Sequence, residues 1–268
     1  MYTIFGSSGF IGKELASHLK KNNQKVFKPN KNQIKFNKDL GYIIYCVGSD
    51  DWKKKPKKGY LSNLGHLKKI VFNNKFKSII FLSTTRLYIN SKNTTKENSN
   101  LSVNSESEND YYNILKIASE SLLLRLNKKI KIIRLSNVFG FNHKSPLLLP
   151  MLIKNALKKS QIEITISLNS TKDYILIDDA INLIFKILKD GKQNIYNVAS
   201  GKNIKIKRIT NIIKQETGCK IILKNQKKVM LEPKINIKRI QQEFNFKNNF
   251  KLEKYLPELI KKYKKIFN

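Results

Sequence analysis

The chain has 268 residues, 40% of them hydrophobic, and a formal net charge of +34. It carries enough apolar material for one large domain or two small ones, but no apolar run approaches the roughly 20 residues of a membrane-spanning helix. The charge invites a polyanionic partner. Yet the lysines spread from Lys13 to Lys265 with few arginines and no basic stripe interleaved with aromatics, so no specific nucleic-acid ligand is expected, and an anionic small substrate is. Cys46 and Cys219 make no disulfide framework, and His18, His66 and His143 have no ligand spacing, so no metal site is expected. The sequence opens directly on a strand pattern, from which no signal peptide and a cytoplasmic location are expected.

Strand-like and helix-like segments alternate, the pattern of a parallel sheet covered by helices. Tyr2–Phe5 reads as a strand, Phe10–Lys21 as a helix with Ile11, Leu15 and Leu19 on one face, and Lys25–Lys28 as a short second strand. Ile34–Phe36 is a candidate third strand. Tyr42–Val47 is an apolar strand with Cys46 as a buried thiol, Leu61–Phe72 a helix, and Ser78–Ser83 a buried strand. The short span before Tyr42 leaves little room for a full crossover helix. From Ile89 to Asp110 the chain is polar, with few apolar anchors, and reads as a mobile flap or a loop ordered on binding. Asp110 is placed to N-cap a helix over Tyr111–Leu126. Then come a strand over Ile130–Leu135, a helix over Pro146–Lys158, an irregular stretch over Thr165–Asp173, and a helix over Asp178–Lys189. A strand over Ile195–Val198, a helix over Ile204–Thr217, a strand over Ile221–Leu223 and two helical stretches finish the chain.

Three features carry chemistry. Gly6-x-x-Gly9-x-x-Gly12 lies between the first strand and the first helix, the arrangement that holds a dinucleotide pyrophosphate on a helix N-terminus. Ser83, Thr84 and Thr85 end a buried strand, where hydroxyls of a parallel sheet face the ligand crevice. Tyr112 and Lys116 stand four apart and share one helix face, with Ile114, Ile117, Ala118 and Leu122 expected to pack inward. A free phenol titrates near pH ~10; an adjacent ammonium and an oxidised nicotinamide ring would favour the phenolate and so make a general base.

In this order the motifs resemble the extended short-chain dehydrogenase/reductase family, and within it the NAD(P)-dependent nucleotide-sugar epimerase and dehydratase group. Tyr45-Cys46-Val47-Gly48 is similar to the family's turn beside the cofactor ribose, and Asn63-Leu64-Gly65-His66 to its Asn-x-x-Gly helix. Arg134-Leu135-Ser136-Asn137-Val138-Phe139-Gly140, Lys172-Asp173-Tyr174-Ile175 and Tyr196-Asn197-Val198-Ala199-Ser200-Gly201 are similar to three further family segments.

The resemblance implies a Rossmann-type doubly wound parallel sheet over residues 1–145, interleaved with a smaller substrate-binding region over 146–268. It implies Tyr112 as acid/base, Lys116 as the group that tunes it and binds the nicotinamide ribose, and Thr84, four residues before Tyr88, as the catalytic hydroxyl. Gly6, Ser8, Gly9, Phe10, Ile11, Gly12, Lys28, Cys46 and Val47 would hold the cofactor; Thr84, Thr85, Asn137 and Lys172 would meet a nucleotide-sugar substrate. No acidic residue follows the second strand; Lys28, Asn30 and Lys31 stand there, which leaves NAD and NADP both open and favours NADP. Thr85 and Arg86 replace the Asp-Glu pair of 4,6-dehydratases, which favours an epimerase or a 4-keto-sugar reductase. The exposed part of Leu115–Leu124 is compatible with a homodimer. The reading from another class is a non-catalytic cofactor-fold scaffold or RNA-binding relative.

Overall fold

A computed structural model describes residues 1–31, 33–48, 53–91, 94–225 and 229–267. In chain order the elements are β1 (Tyr2–Phe5), α1 (Phe10–Lys21), β2 (Val26–Phe27), β3 (Tyr42–Tyr45), α2 (Pro56–Tyr60), a π turn (Leu61–Gly65) and α3 (His66–Asn73). Next come β4 (Ser78–Thr84), a 3-10 turn (Thr85–Tyr88), α4 (Tyr111–Leu124), β5 (Lys129–Leu135), β6 (Asn137–Phe139), α5 (Leu148–Lys159) and β7 (Gln161–Ile164). Then follow β8 (Thr171–Leu176), α6 (Ile177–Asp190), β9 (Ile195–Val198), β10 (Asn203–Lys205), α7 (Ile206–Thr217), β11 (Lys220–Leu223), α8 (Lys238–Phe244) and α9 (Leu252–Phe267).

The chain divides into two compact units. The first comprises Met1–Ser136, Ile177–Val198 and Asn236–Phe246. Its six-stranded sheet runs β2-β1-β3-β4-β5-β9 with every neighbouring pair parallel. A parallel sheet buried on both faces is written in near-continuous apolar runs. Accordingly Ile43, Tyr45, Ile79, Phe81 and Ile132 pack on one face with Leu67 and Ile70 of α3, and the alternate residues Ile4, Ile44, Ile80 and Ile133 are fully buried on the other. On that second side α1 meets α6, with His18 and Phe185 stacked at 4.5 Å. Strand order reverses at β1, which has β2 on one side and β3 on the other. Such a switch point opens a crevice beyond the carboxyl ends of the strands. The chain leaves those ends at Gly6, Cys46, Thr84 and Ser136.

The second unit comprises Asn137–Leu176, Ala199–Ile235 and Lys247–Asn268. It holds the mixed sheet β10-β8-β6 and the parallel pair β11-β7. Its core joins Ile153 of α5, Ile162 of β7, Ile213 of α7, and Leu256 and Ile260 of α9.

Four local expectations are corrected. Ile34–Phe36 is not a strand: Asn74 takes its backbone groups instead, donating to the Ile34 carbonyl at 2.8 Å and accepting from Phe36 N–H at 3.0 Å. The end of the stretch Thr165–Asp173 is not irregular: Thr171, Lys172 and Asp173 open β8 and pair with β10, and β6 pairs with the rest of that strand. Asp110 does not cap α4 with its side chain; its carboxylate accepts from Asn90, Asn104 and Asn113 at 3.0, 3.0 and 2.7 Å. The polar segment after Ile89 is tied to the unit through Thr95 and Glu97, both buried, although residues 92 and 93 lie outside the described residues. Asn197 donates to the Thr95 carbonyl at 2.7 Å and its own N–H reaches Glu97 Oε1 at 3.1 Å.

The glycine turn is sterically exacting at two of its three positions. Gly6 has φ +81, and a Cβ there would lie 2.8 Å from the Cys46 carbonyl carbon. A Cβ on Gly12 would lie 2.2 Å from the Gly6 oxygen, backbone against backbone. Gly12→Ala is therefore expected to cost about 2–3 kcal/mol and, at about 2–4 °C per kcal/mol, to lower the Tm by several degrees in a thermal melt. Gly9→Ala, whose Cβ would meet that oxygen at 3.3 Å, is expected to lower it less.

Candidate active site

Thr84 is the last residue of β4 and caps the turn that follows it: its Oγ1 accepts from the Arg86 N–H at 3.1 Å. That bond leaves the hydroxyl proton available for donation. Tyr112 stands in the first turn of α4 and Lys116 one turn on. The Lys116 ammonium is buried, donates to the Leu82 carbonyl at 2.9 Å, and lies 4.6 Å from the Phe81 ring centre and 5.7 Å from that of Tyr112. A strand carbonyl two residues before Thr84 thus fixes the helix face that bears Tyr112 and Lys116.

The buried side of α4 is not the apolar one expected. Leu115, Lys116, Ser119, Glu120 and Leu123 face inward, whereas Ile114, Ile117, Ala118 and Leu122 are only partly covered. Buried charges persist only where their polar atoms are satisfied: the Lys116 ammonium is held by the Leu82 carbonyl, and Glu120 by a charged partner. Glu120 forms a 2.7 Å ion pair with Arg134 of β5 and accepts from Ser83 Oγ at 2.5 Å. Arg134 also donates to Tyr88 Oη at 2.7 Å and to the Glu97 carbonyl at 3.1 Å, and Tyr88 donates to Asn197 Oδ1 at 2.9 Å. This network flanks Thr84. Its sequence signal was the placement of Glu120 one further helical turn beyond Lys116, on the same face.

Burial pushes the Tyr112 phenol up to about 12, with the Arg86 charge acting in the opposite direction. Burial pulls the Lys116 ammonium down to about 8, against the raising effect of Glu120 and Cys46. Burial also pushes the Cys46 thiol up to about 12. For Arg134 burial works against the charge, and Glu120 outweighs it, holding the guanidinium above its ordinary value.

At the other strand ends, Ser8 and Gly9 are exposed, Phe10 and Ile11 open α1, Cys46 and Val47 follow β3 half-buried, and Lys28 is exposed after β2. The structure thus places all the expected cofactor-side residues in the first unit, around the carboxyl edge of its sheet, with Thr84, Thr85, Tyr112 and Lys116. Asn137 and Lys172 belong to the second unit. There Asn137 donates to the Asp173 carbonyl at 2.9 Å, and Lys172 pairs with Glu232 at 2.6 Å. Among the described residues no group of His, Cys, Asp and Glu has the arrangement of a metal site, and no helix is long and apolar enough to cross a membrane.

Two measurements follow from the buried charges. Glu120→Ala strands the Arg134 guanidinium and is expected to cost about 3–5 kcal/mol, read as a lower midpoint in chemical denaturation. The folded pKa of Lys116, about 8, lies below the unfolded value near ~10.4. Between those values the unfolded state binds more protons, so this lysine makes stability rise with pH across that window. The wild type is expected to gain stability there relative to Lys116→Met, by about 2–3 kcal/mol in denaturation curves taken at either end.

The model of the NAD dependent epimerase/dehydratase family matches residues 2–199. Over 88 residues, 32% of this chain and 30% of its relative, the sequence is 36% identical to CDP-abequose synthase of Salmonella muenchen. Over 161 residues, 56% of this chain and 51% of its relative, it is 25% identical to dTDP-4-dehydro-6-deoxyglucose reductase of Escherichia coli. The matches span about a third to a half of the length of those relatives. An NAD-dependent NDP-hexosamine 5,6-dehydratase of tunicamycin biosynthesis shares the fold, with a TM-score of 0.84 at 15% identity over 98% of this chain and 97% of that one. The parallel sheet, the glycine turn at its switch point and the match over residues 2–199 lead to one conclusion: the chain belongs to the NAD dependent epimerase/dehydratase family.

Proposed function

We propose that the protein moves a hydride between NAD or NADP and a ring carbon of a nucleotide-activated sugar, acting as an epimerase or a reductase. The observation that carries this reading is the 2.9 Å bond from Lys116 Nζ to the Leu82 carbonyl, which holds the Tyr112 and Lys116 face of α4 against the strand that ends in Thr84. The glycine turn fits the cofactor's pyrophosphate. Ser8 and Gly9 are exposed, and the N–H groups of Phe10 and Ile11 lie in a helical first turn, which has no acceptors of its own and carries positive dipole. Gly6 and Gly12 shape that turn, and Lys28, Cys46 and Val47 are assigned to the adenosine and ribose side. When bound, the nicotinamide supplies or accepts the hydride.

The chain's own residues handle the proton. In the oxidative direction Tyr112 Oη accepts it from the sugar hydroxyl as the hydride leaves the same carbon; in reduction it returns it to the keto oxygen. Thr84 Oγ1, already accepting from Arg86 N–H, donates its proton to that sugar oxygen. The ammonium of Lys116 holds the ribose and keeps positive charge beside the phenol. Asn137, Lys172 and Thr85 are assigned to the substrate's sugar and diphosphate. Lys offers a point charge to a diphosphate rather than a bidentate fork.

The similarity to dTDP-4-dehydro-6-deoxyglucose reductase favours the reductase mode, with NADPH as reductant and a 4-keto sugar nucleotide as substrate. Thr85 and Arg86 supply no carboxylate after Thr84 to serve a 4,6-elimination, which disfavours a dehydratase. The test is turnover against a panel of UDP-, dTDP-, GDP- and CDP-sugars and their 4-keto forms. Steady NADPH consumption with a 4-keto sugar identifies the reductase; interconversion of two sugars with a retained cofactor identifies the epimerase. Tyr112→Phe is expected to lower kcat by about 10²–10⁴-fold, the usual worth of a general acid–base, while cofactor binding persists. Full activity in that variant, or a salt-resistant, sequence-selective RNA interaction, would overturn the proposal.

A further inference from the structure

We propose that Ser136 is a binding residue for the nicotinamide end of the cofactor, its hydroxyl pairing with the carboxamide of the ring. The inference rests on the hydride-transfer reading above and adds a residue to it.

Ser136 follows β5, one residue beyond Leu135, which is the register partner of Thr84 on β4 and of Val198 on β9. It therefore leaves the sheet on the strand next to the one that ends in Thr84, at the same carboxyl edge. Its backbone is fixed there, because the Ser136 N–H donates to the Val198 carbonyl at 3.0 Å. The residue is 7% exposed, and among the described residues nothing donates to its Oγ or accepts from it. A buried hydroxyl left unpaired costs folding free energy, and native interiors keep few of them. Asn63 and Asn113 also keep a buried oxygen without a partner among the described residues, but they stand in the π turn and on α4. Ser136 stands at a strand end, where a parallel sheet meets its ligand.

The partner that suits this hydroxyl follows from its chemistry. It both donates and accepts, and it carries no charge. The cation of its own strand, Arg134, is committed to Glu120, Tyr88 and the Glu97 carbonyl, so the position suits a neutral group rather than a phosphate. Two neutral groups of the proposed reaction qualify: the carboxamide of nicotinamide and a hydroxyl of the sugar. The order of the strands favours the first. A dinucleotide lies across the switch point with one half on either side. With the adenosine assigned to the β2 side of β1, the nicotinamide half belongs to the side of β3, β4 and β5. Thr84 and Tyr112 are assigned to the sugar oxygen, which leaves Ser136 to the ring.

The experiment compares the full-length wild type with Ser136→Ala by thermal melts without ligand and by dissociation constants for NADH, NADPH, ADP-ribose and 2′-phospho-ADP-ribose. The last two lack the nicotinamide. The substitution removes an unpaired buried hydroxyl, so the ligand-free Tm is expected to rise by about 1–4 °C. The Kd for whichever dinucleotide the wild type prefers is expected to rise about 3–10-fold, while the Kd for the matching ADP-ribose stays in place. No loss for the dinucleotide, or an equal loss for the ADP-ribose, overturns the proposal. So does a Kd for UDP-glucose that rises in place of the dinucleotide's, which gives the hydroxyl to the sugar, and so does a lower ligand-free Tm with every Kd unchanged, which makes it structural. A selective loss of dinucleotide binding in a protein that turns over no nucleotide sugar upholds the role of Ser136 and overturns the functional reading instead.

Discussion

The buried ion pair between Glu120 and Arg134 is the constraint on which the first unit is organised. Neither charge can leave water without the other, and 2.7 Å between them joins α4 to β5. Further hydrogen bonds of the pair recruit other elements. Ser83 brings in the end of β4, Tyr88 the 3-10 turn, and the Glu97 carbonyl the segment that follows. Asn197 of β9 closes the circuit through Tyr88 and Glu97. Thr84 follows the anchored Ser83, and its hydroxyl is held directly by the Arg86 N–H at 3.1 Å.

The second constraint is steric and lies at the switch point of the sheet. The left-handed Gly6 packs on the Cys46 carbonyl, and Gly12 packs on Gly6. These contacts bring β1, β3 and α1 together at one spot, the same crevice into which β4 delivers Thr84. Backbone closeness at one end and a paired charge at the other bring the glycine turn and Thr84 to the carboxyl edge of one sheet.

The strands of that sheet were legible because parallel strands buried on both faces leave unbroken runs such as Ser78-Ile79-Ile80-Phe81-Leu82. The glycine turn and the spacing of Tyr112 and Lys116 were legible because both are local. What escaped was polar burial. An inward α4 face was sought among Ile114, Ile117, Ala118 and Leu122, whereas Lys116, Ser119 and Glu120 occupy it; Lys116 and Glu120 find their partners on β4 and β5, and Ser119 donates to the Asn63 carbonyl of the π turn as well as to Leu115 of its own helix. Thr95 and Glu97 read as part of a mobile flap or a loop ordered on binding because their partners are remote in sequence: Arg134 is 37 residues from Glu97, and Asn197 and Asn236 are about 100 or more residues away. β8 was hidden by Lys172 and Asp173 at its start, where Asp173 accepts from Ser200 and Lys202.

The abbreviated stretch between β2 and β3 also bears on where this isoleucine-rich sheet stops. An open strand edge is a template for pairing with another chain. Here one edge is β2, two residues long and flanked by Lys25 and Lys28, with Lys38 seated 3.3 Å over the Phe27 ring. At the other edge Arg239 of α8 donates to the Ile195 carbonyl of β9, and Phe244 packs on Tyr196. One border is too short and too charged to extend and the other is plugged by a guanidinium, so the sheet ends where the chain ends it.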